Sequence, residues 1–430
     1  MRLPKRSDFT ANKRELVDTA YLVVLQGASY LLPLIVMPYL LIILQPTSYG
    51  YVGFSFSLVQ YFTLIVDFGF NLSGTKRIAQ AATTDERNRI FINIASAKML
   101  LLIVSTLAMA VIVGVIPQFH KYIPSIIATW PMILGTAFTY MFFFQGIGKI
   151  RIFTILNTVV KVCLLPLIFV FVRHQTDYVL AAFLQSVVFI LSAILSLVYL
   201  FMKHLVHLAR PSWQGIKEEI SVSFPLFLST ASTSVYTQLF VVILGYFCAT
   251  ETVGLFSSAD RIVRAFVFLL YAPIVQVYFP KICNLAIRDR TKAATTFRQL
   301  LHMVAISMFL LSACIFIFAP LLPVFLGYKF QGALTYVRIL SMLPFFIGIG
   351  GIYGQVGLVA LGDRQSALAF RNVYLLAACV AIVLALVVAP ALKSVGICSL
   401  ESFSELLVMV LMWLQYRKFQ KRHVTATTAT

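Results

Sequence analysis

The chain has 430 residues, of which 60% are hydrophobic and 11% are charged, and its mean hydropathy is +0.92. Soluble globular domains carry about 25% charged residues, so this composition excludes a soluble domain and predicts an integral membrane protein. A net charge of +19 would indicate nucleic-acid binding if it formed one patch. The basic residues instead fall mostly in alternate loops between apolar segments, which is a signal of membrane topology and predicts no nucleic-acid partner.

Apolar runs of about 20 residues predict about twelve membrane-spanning helices. Their expected bounds are 17–44, 51–74, 89–116, 125–148, 153–173, 178–202, 219–247, 253–280, 297–320, 334–361, 370–392 and 397–416. Twenty-five of the 34 basic residues lie on the side of the two termini, and four lie in the opposite loops. These four are Lys121, Arg173, Lys329 and Lys393. The asymmetry places both termini in the cytoplasm.

The predicted fold is an all-α integral membrane protein with two six-helix lobes around a central cavity. The expected parts are a basic cytoplasmic tail at 1–16, a first lobe at 17–202, a cytoplasmic linker at 203–218, a second lobe at 219–416 and a cytoplasmic tail at 417–430. A short internal similarity supports a repeat, because SYGYVGFSFS at 48–57 and TVGLFSSADR at 252–261 are offset by 204 residues. Six spans per repeat would relate the halves by an axis along the membrane normal, with the substrate site between them.

The most informative segment is 253–280, VGLFSSADRIVRAFVFLLYAPIVQVYFP, a predicted span that contains Asp260, Arg261 and Arg264. At 1.5 Å per residue, Arg264 would lie roughly 16 Å into a hydrocarbon layer about 30 Å thick. Charged groups at such depth usually face a bundle interior or a watery cavity and mark a transport path. Asp260 and Arg264 form an i,i+4 pair, but one acid does not neutralise two arginines. The helix is therefore predicted to line a cavity with surplus positive charge that suits an anionic solute.

Other ionisable side chains also fall inside predicted spans. Lys98 and Lys161 lie about 12 to 14 Å from an interface by helix rise, and Asp67 lies near the end of the second span. Glu401 and Glu405 share one face of the last span. The acids have two interpretations: they respond to protons or cations during transport, or they are structural. In the structural interpretation Asp67 pairs with Lys98 and the two glutamates extend to the membrane interface.

Several motifs, taken together and in order, resemble the Wzx-type O-antigen and polysaccharide flippases. They are DFGFNLSGTKRIA at 67–79, FFFQGIGKIRIFTI at 142–155, FPLFLSTASTSVYTQLFVVILGYF at 224–247, VGLFSSADRIVRA at 253–265 and FLGYKFQGALTYVRILSMLPFF at 325–346. The resemblance covers about residues 16–365. Two positions depart from the family pattern: PYLLIILQPTSYG lacks the arginine that many relatives have before Leu-Gly-Pro, and FQGIGKI lacks an acid after the first glycine.

The resemblance implies a flippase of the multidrug, oligosaccharidyl-lipid and polysaccharide exporter superfamily. Such a protein moves an undecaprenyl-diphosphate-linked oligosaccharide across the bacterial inner membrane by alternating access, for O-antigen and lipopolysaccharide synthesis. The implied partners are this polyprenyl-diphosphate-linked oligosaccharide, the bilayer, a proton or sodium gradient, and polysaccharide polymerase and chain-length proteins. Because a guanidinium fork suits phosphate oxygens, Arg261 and Arg264 are the predicted diphosphate contacts, and Lys161 and Lys98 are second choices. The alternative is that Arg264 only pairs with Asp260 as a structural contact.

The loops argue against catalysis. The longest predicted outer segment, LLPVFLGYKFQGA, has no acid or histidine, and no GxxxxGK[ST] phosphate loop occurs. The six cysteines have no metal-ligand spacing, so no metal, cofactor or enzymatic activity is predicted. Two other functions remain open: an ion-coupled multidrug exporter, which should favour an acidic or aromatic cavity, and a lipid-linked glycan polymerase or ligase, which would need catalytic groups in the outer loops.

Overall fold

The computed structural model describes the backbone of residues 6–207, 209–362 and 364–428, and side chains within 32–207, 209–228, 230–231, 237–286, 288–362 and 365–422. This part of the chain is helical and contains no strand, which confirms the all-α prediction. The α-helices are α1 Arg6–Asp67, α2 Phe70–Gln80, α3 Thr84–Val115, α4 Ile123–Thr129, α5 Pro131–Phe138, α6 Met141–Gly146, α7 Ile150–Phe171, α8 Tyr178–Met202, α9 Trp213–Phe247, α10 Thr250–Arg288, α11 Arg290–Phe318, α12 Leu322–Leu326, α13 Ala333–Leu340, α14 Leu343–Gly351 and α15 Arg364–Thr428. Short 3₁₀ segments occupy Pro117–Tyr122, Gln175–Asp177, Ala319–Leu321 and Tyr328–Phe330, and a π-helix occupies Ile352–Ala360.

Nine helical stretches within the described residues are long and apolar enough to cross a membrane, so the chain is a multi-pass membrane protein. Gln365–Arg422 contains two predicted spans, and Leu32–Gln80 contains the second predicted span and the part of the first from residue 32 onward. Non-helical residues interrupt them at Gln45 (φ 58°) and Lys393 (φ 49°). The seventh predicted span corresponds to α9, in which Thr237–Phe247 is an apolar stretch among the residues with described side chains. Each predicted span thus falls on described helical structure, and the total of twelve stays a prediction.

The chain forms two compact units that differ from the predicted lobes in two segments. Unit 1 comprises residues 1–43 and 59–228, and unit 2 comprises 44–58 and 229–430. The turn between the first two spans is therefore part of unit 2, and the linker with the beginning of α9 is part of unit 1. The prediction of a basic tail at 1–16 concerns side chains that lie outside the described ones.

In unit 1, a short break separates α1 from α2. Phe68 and Gly69 both have positive φ (45° and 75°), a conformation that glycine tolerates and phenylalanine rarely adopts. The break turns α2 onto the beginning of α9, where the Ser73 and Ser223 hydroxyls lie 2.7 Å apart. One turn further along α2, Arg77 forms ion pairs with Glu218 and Glu219 at the start of α9.

In unit 2, helices α10, α11, α14 and α15 pack with the π-helix around an apolar core. Val304, Met308, Val356 and Met412 are among its fully buried members. Outside the membrane-spanning part, the Asp289 carboxylate caps α11 by accepting a bond from the Lys292 backbone N–H at 3.0 Å. This bond stabilises the charged form and lowers the pKa of Asp289.

Candidate functional site

A cluster of four charged side chains lies inside unit 2, where α10 meets α15. Arg264 Nε donates to Asp260 Oδ1 at 2.5 Å, one turn away on α10. The same guanidinium donates through Nη2 to Glu401 Oε1 on α15, and its Nη1 lies 3.8 Å from Glu405 Oε1. Arg264 therefore links α10 to α15 through Glu401, a residue 137 positions away in sequence.

The three acids of this cluster are buried. Asp260, Glu401 and Glu405 have 8%, 1% and 4% of their surface exposed. The interpretation that the two glutamates extend to the membrane interface is therefore wrong: both turn inward to Arg264. Around this guanidinium the acids outnumber the base, so the predicted surplus of positive charge does not hold for Arg264 itself.

The acids of the cluster are also incompletely satisfied. Glu401 Oε2 is buried and has no hydrogen-bond partner among the described residues. The Asp260 and Glu401 carboxyl groups interact with each other as well as with Arg264. With all four groups ionised, the cluster would carry two uncompensated negative charges, which are costly in a protein interior. Uptake of a proton or a cation would relieve this cost.

A cavity of about 180 Å³ borders the cluster within unit 2. Its polar lining comes from Thr237, Arg264, Tyr271, Gln355, Tyr374 and Glu405. The Tyr271 hydroxyl lies 3.5 Å from Gln355 Oε1. It also occupies the space above Gly351, where a Cβ would come within 2.0 Å of it. Arg264 and Glu405 thus form part of the cavity wall, so one edge of the charge cluster faces the cavity.

Arg261 has different surroundings from Arg264. Its guanidinium lies over two aromatic rings of unit 2, with centroid distances of 5.7 Å to Tyr49 and 5.4 Å to Phe56. The side chain is half-buried. At these distances the positive charge of the guanidinium is attracted to the faces of the two rings by cation–π interactions.

The predicted site residues of unit 1 separate into different roles. Lys98 is 1% exposed and its Nζ donates to the carbonyls of Thr136 at 2.9 Å and Thr139 at 2.8 Å. These carbonyls lie at the C-terminal end of α5, where the fourth span is broken, so Lys98 caps that helix. Asp67 accepts a 2.6 Å bond from Asn71 Nδ2. Lys161 is half-buried on α7.

The structure brings together Asp260, Arg264, Glu401 and Glu405 in unit 2, whereas Asp67, Lys98 and Lys161 belong to unit 1. Sequence reasoning missed the contact of α15 with Arg264, because it joins distant segments. The available signal was that two acids on one face of an apolar span need a buried cation as a partner. The cavity-lining Tyr271, Gln355 and Tyr374 had no such signal.

Comparisons with known proteins agree with this architecture. Residues 16–286 match the family model described as "Polysaccharide biosynthesis protein". A "Putative O-antigen transporter" of Escherichia coli (strain K12) is 28% identical over 339 residues, covering 78% of this chain and 81% of the relative. A protein of the same name from Shigella dysenteriae is 28% identical over 393 residues, covering 91% and 97%.

Solved structures with the same fold have lower sequence identity. An inward-facing multidrug resistance MATE family transporter of the MOP superfamily is 17% identical with a TM-score of 0.69, covering 94% of this chain and 95% of that one. The lipid II flippase MurJ in an inward closed conformation is 13% identical with a TM-score of 0.71, covering 93% and 87%. These matches show that the chain shares the fold of membrane transporters.

Proposed function

The chain belongs to the polysaccharide biosynthesis protein family, and we propose from this premise that it is a flippase for a lipid-linked oligosaccharide. The substrate class is an undecaprenyl-diphosphate-linked repeat unit, which the protein carries from the cytoplasmic to the outer leaflet of the bacterial inner membrane. The two relatives named above are described as transporters, so we treat this chain as a carrier and not as an enzyme. Polysaccharide polymerase and chain-length proteins would act on the product of this step.

The observation that carries the proposal is the presence of ionisable side chains within apolar helices of unit 2. Such groups are costly in a membrane protein and are retained where a polar solute or an ion must pass. A diphosphate headgroup is strongly penalised in hydrocarbon, so its passage requires protein groups that replace its hydration. The polyprenyl tail needs no such replacement and can stay in lipid.

We assign the first contact with the diphosphate to Arg261. Its guanidinium lies over the rings of Tyr49 and Phe56, whereas that of Arg264 is paired with three carboxylates. Lys161, half-buried in unit 1, is a second candidate contact. We assign Lys98 no contact with the substrate, because its ammonium is buried against two carbonyls. Its proposed role is to hold the end of α5 in place.

We assign energy coupling to the acids around Arg264. Their excess of negative charge favours uptake of a cation, and the unpartnered Glu401 Oε2 is the acceptor that fits a proton. The guanidinium occupies the centre of the three acids, which disfavours a sodium ion there because two cations would repel at short distance. The proton gradient is therefore the proposed driving force.

A second function deserves a test because the cluster is acidic. Three buried carboxylates around one arginine resemble what an ion-coupled exporter of cationic drugs would need, and MATE transporters share the fold. A drug exporter would lower the accumulation of cationic dyes in cells. A flippase for a diphosphate lipid would leave dye accumulation unchanged.

The experiment is complementation of a bacterium that lacks its own O-antigen flippase, with surface glycan and dye accumulation measured at matched membrane expression. Wild type should restore surface glycan. Arg261→Ala should reduce it about tenfold, since hydrogen bonds to charged groups contribute about 1.5–3 kcal/mol. Arg338→Ala, at the far end of another span, is the control. Restored dye efflux without glycan would favour the exporter, and equal glycan from wild type and Arg261→Ala would remove Arg261 from the site.

A further inference from the structure

Two segments related by the sequence repeat contact each other reciprocally within unit 2. A Cβ added at Gly50 would lie 2.0 Å from the carbonyl oxygen of Thr250, and one added at Gly254 would lie 1.8 Å from that of Pro46. Pro46 and Thr250 are 204 residues apart, as are Gly50 and Gly254, which is the offset of the repeat in the sequence. Gly50 of the first repeat therefore contacts Thr250, four residues before Gly254. In the same way, Gly254 of the second repeat contacts Pro46, four residues before Gly50.

This reciprocity is the signature of a two-fold contact, here between halves of one chain. The position on its axis is held by Gly53 and Ser257, which are also 204 residues apart: a Cβ at Gly53 would lie 2.8 Å from Ser257 Oγ. Ser257 is 2% exposed. Small residues let the two helix backbones approach each other closely at this position.

A polar contact clamps one end of this symmetric contact. Lys329 Nζ, in the segment between α12 and α13, donates to Gln45 Oε1 at 2.6 Å. Gln45 is the residue with φ 58° at which α1 turns, directly before Pro46. Lys329 is one of only four basic residues predicted on the outer side, where lysine is disfavoured, so a specific role accounts for its position.

We propose that the contact of 46–53 with 250–257 is the outer gate of the transport path and that Lys329 holds it shut through Gln45. The proposal rests on the proposed function, because the gate serves the exit of a headgroup to the outer leaflet. Both segments lie at outer helix ends in the predicted topology. The closest approaches in this contact are made at Gly50, Gly53 and Gly254, so the two helix backbones meet there without an intervening side chain.

The first test joins the two halves covalently with Gly53→Cys and Ser257→Cys. The Gly53 Cβ position lies 2.9 Å from Ser257 Cβ, so a shift of about 1 Å gives the Cβ separation of a disulfide. The outer side of the inner membrane is oxidising enough to form the bond. In the complementation strain, the double variant should lose surface glycan and regain it when reductant is added, whereas either single variant transports. A fully cross-linked chain with unchanged transport would refute the gate.

The second test needs no substrate. Ser257→Cys is labelled in intact cells with a membrane-impermeant maleimide, and the labelling of the parent chain is subtracted. Adding Lys329→Met should raise the labelling rate about threefold, the size expected when an exposed charged hydrogen bond that favours the closed state is removed. Lys393→Met, at the other outer turn with a positive φ, is the matched control and should leave the rate unchanged.

The two tests separate this proposal from the proposed function. Equal labelling with Lys329→Met and Lys393→Met would refute the clamp. Wild type could fail to restore glycan while Lys329→Met still raises the labelling rate of Ser257→Cys. That result would support the gate and contradict the proposed substrate.

Discussion

Arg264 illustrates how the surroundings of a residue decide its role. In the sequence it is a buried cation that suits an anionic substrate. In the structure its guanidinium is paired with Asp260, Glu401 and Glu405, so acids of the protein already compensate its positive charge. A buried charge network of this kind is costly to disturb and sensitive to one added or removed proton.

Glu401→Gln should uncouple transport from the proton gradient. Glutamine keeps the shape of the side chain and removes the carboxylate that would take up the proton at Oε2. In proteoliposomes that contain undecaprenyl-diphosphate-linked oligosaccharide, an imposed proton gradient should accelerate flipping by wild type and leave the variant at its basal rate. Glu251→Gln, an exposed acid at the start of the same α10, is the control. A full response of Glu401→Gln to the gradient would move coupling elsewhere.

Lys98→Met should destabilise the protein, because the half-buried Thr139 carbonyl loses the Lys98 donor and the Thr136 carbonyl keeps only the Thr139 backbone N–H at 3.3 Å. A hydrogen bond to a charged group contributes about 1.5–3 kcal/mol. Thermal unfolding of the purified protein in detergent measures the effect. Lys161→Met, half-buried on α7, should lower transport while changing the unfolding temperature little. Equal stability of both variants would show that Lys98 does not hold α5.

At the scale of elements, interruptions of helices coincide with polar contacts and with part of the cavity lining. The α1–α2 break at Phe68 and Gly69 turns α2 onto α9, and the break after α5 receives Lys98. Unit 2 contains the π-helix Ile352–Ala360, which supplies Gln355 to the cavity. Irregular backbone at membrane depth is tolerated where protein groups satisfy its hydrogen-bonding atoms, as Lys98 does at the end of α5.

The contact of α2 with the beginning of α9 is testable by charge reversal. Arg77→Glu would place a third acid beside Glu218 and Glu219 and should reduce both stability and transport. Adding Glu219→Arg should recover part of the loss, and the double-mutant cycle gives the coupling between the two positions. Independent effects, with no recovery in the double variant, would show that the ion pair contributes nothing to this contact.

At the scale of the molecule, the asymmetry of basic residues predicts the orientation of every loop. A green fluorescent protein fused after Thr430 should fluoresce, since that tail is predicted to be cytoplasmic. Alkaline phosphatase inserted at Lys329 or Lys393 should be active, since these loops are predicted to be outside, and the same enzyme inserted at Lys203 should be inactive. Active enzyme inserted at Lys203 would show that the predicted orientation is wrong.

The sequence by itself determined the membrane class, the helical fold and the family, because these follow from long apolar runs and from motifs in a fixed order. It also supplied the 204-residue offset and the acids and bases within the spans. Only the tertiary structure decided which of these charges meet. Arg264 and Glu401 are 137 residues apart, and Gly50 and Thr250 are 200 apart, so neither contact follows from local periodicity. Long-range packing decides which of several chemically equivalent acids lie beside Arg264. For this reason Arg264, predicted as a substrate contact, lies at the centre of a buried acidic cluster.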